Sequence, residues 1–216
     1  MTTVSLGEPT EVTGEYDPGG RVVDARPRRI GTIPLEVDLR NTGDKPLSVA
    51  SVEVDVLAST RLDRCGTTTR AGTGRIGAVY TVRLPVADVD GQPAPKPGVV
   101  NTPSDFTLDG GETDWMEITV GPDSQSDVVA QLFAYRPALV LDDGSRIVLP
   151  SVATISSTGI VGRYLAAAKT AAPNAAVKKC AAEAVDRIDE AARLAQLRTP
   201  PLTELRTAYA TLAGRR

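Results

Sequence analysis

Hydrophobic and polar positions alternate through much of the chain up to residue 157, and the period then changes. In Ile33-Pro34-Leu35-Glu36-Val37-Asp38-Leu39-Arg40, four apolar residues alternate with Glu36, Asp38 and Arg40. A period of two places one face in a core and the other in water, so this run is a strand. Asn41-Thr42-Gly43-Asp44 supplies turn chemistry, which predicts a hairpin into the next run, where Val52, Val54 and Val56 alternate with Glu53 and Asp55. Leu47 and Val49 sit in the opposite phase, so a bulge or strand break is expected near Ala50-Ser51.

Ile76, Ala78, Tyr80, Val82, Leu84 and Val86 form a third alternating run. Further strands are predicted around Met116, Ile118 and Val120, over 128–140, and around Ile147, Leu149 and Ile155. Asp143-Gly144 and Asp109-Gly110-Gly111 are turn signals, and Pro137 is expected to bend or split the 128–140 segment. About seven or eight strands with short turns read as an antiparallel sandwich or barrel. The connections 58–74 and 87–104 are long and lack periodicity, and loops of more than about 12–15 residues are functional or disordered.

After residue 157 the spacing becomes helical. Ser157 or Thr158 can cap a first helix running to about Ala172, and Pro173 marks a boundary. Val177, Ala181, Ala184, Ile188, Ala191 and Ala195 then recur at spacings of four and three, with Glu183 to Arg187 and Asp189 to Arg193 as supporting pairs. Thr199-Pro200-Pro201 ends that helix, and Leu202, Leu205, Tyr209 and Leu212 define a last one. A helical hairpin of this size buries too little alone, so its seam must pack on the sandwich, a second copy or a partner.

The run Val37-Asp38-Leu39-Arg40-Asn41-Thr42-Gly43-Asp44-Lys45-Pro46-Leu47, leading into a Val-alternating strand, resembles a hairpin of bacterial immunoglobulin-like domains. Gly110-Gly111-Glu112-Thr113-Asp114-Trp115-Met116-Glu117-Ile118-Thr119-Val120 is similar to their next recurring element. The resemblance covers part of 1–157 and implies an immunoglobulin-like β-sandwich there; the alanine-rich helical tail over 158–216 is read from the change of period. That fold serves adhesion, assembly and presentation without one shared activity.

Composition narrows the chemistry. Hydrophobic residues make up 41% of the 216, but aromatics only 4%, so the core must be mainly Val, Leu, Ile and Ala. The net charge of −3 hides a split: residues 1–157 carry 14 Lys/Arg against 22 Asp/Glu, and 158–216 carry 10 against 5. The basic tail can therefore dock on its own acidic body or meet an acidic partner. Cys65 and Cys180 read as free thiols, by the rule that small secreted modules are richer in cystines. No apolar window of about 20 residues exists, and the first residues lack a basic start and apolar stretch, so a bacterial cytoplasmic protein off the membrane is expected.

There is no histidine, which removes Ser-His-Asp and Cys-His catalysis and histidine zinc sites. Gly72-Thr73-Gly74-Arg75-Ile76-Gly77 matches a dinucleotide fingerprint in letters but runs into strand-like residues, where the chemistry needs a helix. Asp88-Val89-Asp90-Gly91 and Leu141-Asp142-Asp143-Gly144 read as turns, since a calcium site needs six to eight oxygens. The basic groups at Arg26-Pro27-Arg28-Arg29, Lys178, Lys179, Arg215 and Arg216 lack interleaved aromatics, and the pI is 5.1, so nucleic acid is not expected.

The sequence thus points to a non-catalytic protein-interaction or scaffold protein without cofactor or metal, binding a protein partner or assembling as a homo-oligomer. Its predicted assembly surface is Val177, Ala181, Ala184, Ile188, Ala191, Ala195, Leu202, Leu205, Tyr209 and Leu212. The alternative is a small-molecule or carbohydrate-binding module using Trp115, which lies out of phase with Met116, Ile118 and Val120 and packs either under a loop or on the outer face. A second alternative is an enzyme working through paired carboxylates.

Overall fold

The alternating runs at 35–40 and 47–62 both form strands, yet they lie in different sheets. The computed structural model describes residues 2–17, 26–65, 75–78, 82–84, 86–89, 92–95, 98–122, 124–126, 130–155 and 158–215. The strands β1 (Thr2–Leu6), β2 (Thr10–Asp17), β3 (Arg26–Thr32), β4 (Leu35–Arg40) and β5 (Leu47–Leu62) come first. Then follow β6 (Arg75–Ala78), β7 (Val82–Leu84), β8 (Val86–Val89), β9 (Gln92–Pro95), β10 (Gly98–Pro103) and β11 (Thr107–Leu108). Next are β12 (Thr113–Ile118), β13 (Val120–Pro122), β14 (Ser124–Ser126), β15 (Ala130–Leu141), β16 (Arg146–Val148) and β17 (Val152–Ile155). The last elements are α1 (Thr158–Thr170), α2 (Ala175–Arg193), β18 (Leu197–Arg198) and α3 (Pro200–Ala213).

One sheet has the order β1-β4-β12 and a larger one β10-β5-β15-β17-β18, with β11 on β5 and β16 on β15. A further sheet has the order β14-β6-β2-β3; β8 pairs with β9, and β13 with β7. The molecule is therefore mostly β, with mixed pairing, since β17–β18 and β13–β7 are parallel. The segment 58–74, expected as a loop, begins as a continuation of β5 to Leu62, and 87–104 contributes strands β9 and β10. The third alternating run is divided among β6, β7 and β8; its Tyr80 lies outside the described residues, as do residues 72–74 of the glycine motif and Asp90-Gly91.

The expected hairpin at Asn41 is instead a passage between sheets. Asn41 is buried, and its Nδ2 donates to the carbonyls of Lys45 (2.8 Å), Leu108 (3.2 Å) and Asp109 (3.1 Å). Its Oδ1 accepts from the Gly43 amide at 3.0 Å. The second passage, from β11 to β12, is thus tied to the first by one side chain. Gly110 is required there, because a Cβ would come 2.7 Å from the Asp44 backbone. Asp109-Gly110-Gly111 accordingly joins strands of different sheets, whereas Asp143-Gly144 does close the β15–β16 hairpin.

The β5–β15 ladder shifts register where Ala50 and Leu57 are each left without an opposite residue. The first is the bulge that the phase change between Val49 and Val52 predicts. The second turns Leu57 toward the helices, whereas Val52, Val54 and Val56 face the first sheet. Pro137 does not split β15. Its carbonyl accepts from the Leu149 amide (2.9 Å), so its nitrogen faces the same side, in the gap between the stretches paired with β17 and β16. The reciprocal bond to the Leu149 carbonyl is the one the proline gives up, one step past the end of the β15–β16 pairing.

Two cores lie on opposite faces of the larger sheet. Phe133 and Tyr135 of β15 join Leu35, Val37, Val54 and Ile118 between the sheets. Leu132 and Ala134 join Tyr164, Ile188, Leu202 and Leu205 beneath the helices. Burial on both sides explains the nearly unbroken apolar run of β15. The two facing sheets and the helices stack as three layers, and the β14-β6-β2-β3 sheet meets α1 through β3. Asn174 caps α2, its Oδ1 accepting from the Val177 amide at 2.9 Å, and Gly214 in the left-handed region ends α3.

Cys65, just beyond β5, and Cys180 of α2 form a disulfide, with Cα atoms 5.7 Å apart. This overturns the free-thiol expectation. Low cysteine density misled because one bond here joins two layers rather than stapling a core-poor module. The bond spans 115 residues, a separation for which loss of unfolded-state entropy is large. Cys65→Ser with Cys180→Ser should lower unfolding free energy by about 2–5 kcal/mol in urea titrations. Unreduced wild-type chain should also migrate faster than reduced chain in denaturing electrophoresis.

Candidate functional site

The residues predicted as an assembly surface are packed inside the molecule rather than offered to a partner. Ala181, Ala184, Ile188, Ala191, Leu202, Leu205, Tyr209 and Leu212 are all buried, and Val177 and Ala195 are partly buried against the same cluster. What covers them is the chain's own β5, β15 and β17 together with α1. Full burial of one Leu or Ile contributes about 1.5–3 kcal/mol, so the side chains of Ile188, Leu202 and Leu205 dominate this docking. Among the described residues, the ion pair from helix to body is Arg187–Asp63 at 3.7 Å, both groups well exposed, worth about 0–1 kcal/mol. Charge complementarity between tail and body is thus a minor part of the internal contact.

The end of β5 receives every helix. From α1, the Tyr164 hydroxyl donates to the Leu62 carbonyl (2.8 Å) and accepts from the Ala130 amide (2.9 Å), closing the last rung of the β5–β15 ladder. From α2, Arg187 donates to the Arg61 carbonyl (2.9 Å) and Cys180 bonds Cys65. From α3, the Tyr209 hydroxyl donates to the Asp63 carbonyl at 3.1 Å. Arg187 therefore serves this junction rather than pairing with Glu183, and Asp189 pairs with Arg206 of α3 rather than Arg193. Sequence reasoning missed Tyr164, although Val161, Tyr164 and Ala168 lie three and four apart on one helical face.

Burial pushes the phenols of Tyr164 and Tyr209 above the ordinary tyrosine range, and Tyr135 likewise between the two facing sheets. The Arg206 guanidinium holds the Asp189 carboxyl below the usual carboxylate range, as Arg215 does for Asp186. Asp143 is lowered by hydrogen bonds from Ser145, whose amide lies 2.8 Å away, which is ordinary turn chemistry.

The exposed side of the helical layer carries two adjoining clefts, of about 590 and 660 Å³, that share Lys169 and Ala208 between α1 and α3. Their floor includes Ala168, Ala171, Leu212 and Leu165, and their rim carries Lys169, Lys178 and Arg198 against a single acid, Glu204. Among the described residues, Lys169 and Lys178 have no ion pair. An apolar floor with a cationic rim suits an apolar, acidic occupant.

Trp115 is 58% exposed, on the outer face of β12, an edge strand. Its register partner is Asp38, which in turn faces Thr3, and Glu36 and Glu117 form the next row. Of the two placements read from phase, the outer face is the one adopted. Val99 and Val148 are also exposed, beside the Arg136–Asp55 (3.1 Å) and Arg146–Glu53 ion pairs on the part of the larger sheet that the helices leave open. The Arg26-Pro27-Arg28-Arg29 group lies in β3.

No helix of the described residues is long and apolar enough to cross a membrane. Comparison with known family models, curated proteins and solved structures finds no match.

Tyr164→Phe leaves the Ala130 amide and Leu62 carbonyl without their partner and should cost about 1–3 kcal/mol in denaturant unfolding. The raised phenols stabilise the fold fully below the unfolded tyrosine value of about 10, and that contribution is lost as pH rises through the folded values. Alkaline titration followed by phenolate absorbance and circular dichroism should therefore show these phenols ionising together with unfolding. Ionisation in a still folded chain near pH ~10 would contradict the burial argument.

Proposed function

We propose that the chain is a non-catalytic protein-interaction or scaffold protein, built on an immunoglobulin-like sandwich, whose helical layer engages its partner. The observation that carries the reading is the α1–α3 groove, apolar on its floor and rimmed by Lys169 and Lys178. The alanine seam is spent inside the molecule, so partner binding falls to this outer side. The sandwich assignment is supported by two sheets enclosing one core and by the two passages between them that Asn41 holds together.

The absence of histidine supports a non-catalytic role. Among the described residues the buried polar side chains are Asn41, Thr119, Gln131, Ser151, Thr154 and Thr199, none of them a carboxylate raised by burial. The disulfide favours an oxidising compartment over the cytoplasm expected from the sequence.

The exposure of Trp115 favours a second reading, a small-molecule or carbohydrate-binding face. It is the single tryptophan, so its fluorescence reports directly on that face. A sugar panel that shifts its emission would support the second reading; an unchanged spectrum supports the first.

Deleting 158–216 is a poor test of the first reading, because it would uncover the core beneath the helices. Full-length chain and a Lys169→Glu, Lys178→Glu variant should instead be used side by side as bait. The expected result is a partner captured by the former and lost by the latter at unchanged melting temperature. Identical capture by both would remove the groove from the account.

A further inference from the structure

We infer that the groove's occupant is the Trp115 face of a second copy, giving head-to-tail self-association. This deepens the proposed interaction role and rests on it. Both halves of the contact are present on one chain. The donor half is an exposed indole on a sheet face carrying Glu36, Asp38 and Glu117, with Arg40 the basic residue in these rows. The acceptor half is the apolar-floored groove rimmed by Lys169, Lys178 and Arg198. Counting Arg40 on the face and Glu204 on the rim, three acids less one base meet three cations less one acid, −2 against +2, around one aromatic anchor.

The two halves cannot meet within one molecule. Val37, Leu39 and Met116 face the larger sheet, so Trp115 and Asp38 face away from it, while the helices cover that sheet's other side. The groove and the indole therefore lie on opposite outer faces of the three layers. A contact between unlike surfaces leaves one donor and one acceptor free on every dimer, so it propagates into a ring or an open chain. The charge split along the sequence, 1–157 acidic and 158–216 basic, has the same polarity as this contact. A foreign acidic partner would use the groove but would leave the acidic Trp115 face without a role; a second copy uses both.

Complementation between two variants is the test. Wild-type chain, Trp115→Ala, and Lys169→Glu with Lys178→Glu are each run in sedimentation equilibrium over a concentration series, with far-ultraviolet circular dichroism confirming the fold. Wild type should show mass rising with concentration, more weakly at high salt as charge screening increases. Trp115→Ala should weaken association about thirtyfold or more, the fold-change to which a hot-spot loss of about 2 kcal/mol converts, and the charge-reversed groove variant should weaken it as well. Their equimolar mixture should recover dimers, each variant supplying the half that the other lacks, and no larger species. Wild type monomeric throughout, or a mixture no more associated than its components, overturns self-association. If the groove variant then still loses a captured foreign protein, the broader interaction role survives; if it does not, both fail.

Discussion

Residues 61–65, where β5 ends, accept a hydrogen bond or covalent bond from all three helices, and the rest of the architecture is arranged around that junction. A strand end normally presents open carbonyls to water. Here the Leu62 carbonyl meets Tyr164, the Arg61 carbonyl Arg187, and the Asp63 carbonyl Tyr209, while Cys65 is bonded to α2. Satisfying these groups from the helices lets the ladder stop without an orphaned backbone. It also fixes the helices over the face of β15 that Leu132 and Ala134 present. Polar bonds set the register of this contact, and apolar burial supplies most of its free energy.

The same junction separates what is internal from what is available. Because the seam from Ala181 to Leu212 lies against the sheet, the helical layer turns its α1–α3 side outward, with Lys169 and Lys178 on its rim. Because the first sheet covers the other core, Trp115 lies on the outer face of that sheet, turned away from the larger one. The two outward surfaces follow from one layered order, and their opposite charge is that of the two parts of the sequence.

Local periodicity was enough to find most strands of the two facing sheets, the helices, the bulge at Ala50 and the hairpin at Gly144. What escaped it depends on contacts distant in sequence. Whether Asn41 begins a hairpin or a passage between sheets is decided by the carbonyls of Leu108 and Asp109, far along the chain. Pro137 is tolerated because it falls one step past the β16 pairing, between the stretches of β15 that β16 and β17 cover. The cysteine pair spans 115 residues, and spacing carries no information about such a bond. At the candidate site, the seam residues were legible from their spacing but not the surface that covers them, while the groove arises from α1 and α3 meeting and has no signature of its own.

If the junction at the end of β5 governs the fold, sheets and helices open together. Native-state hydrogen exchange measures this directly, by comparing amides of α2 and α3 with those of β5 and β15. The slowest amides of both layers should exchange at the same free energy, equal to that of global unfolding. Helices that exchange at a distinctly lower free energy than the sheets, with the disulfide intact, would contradict it.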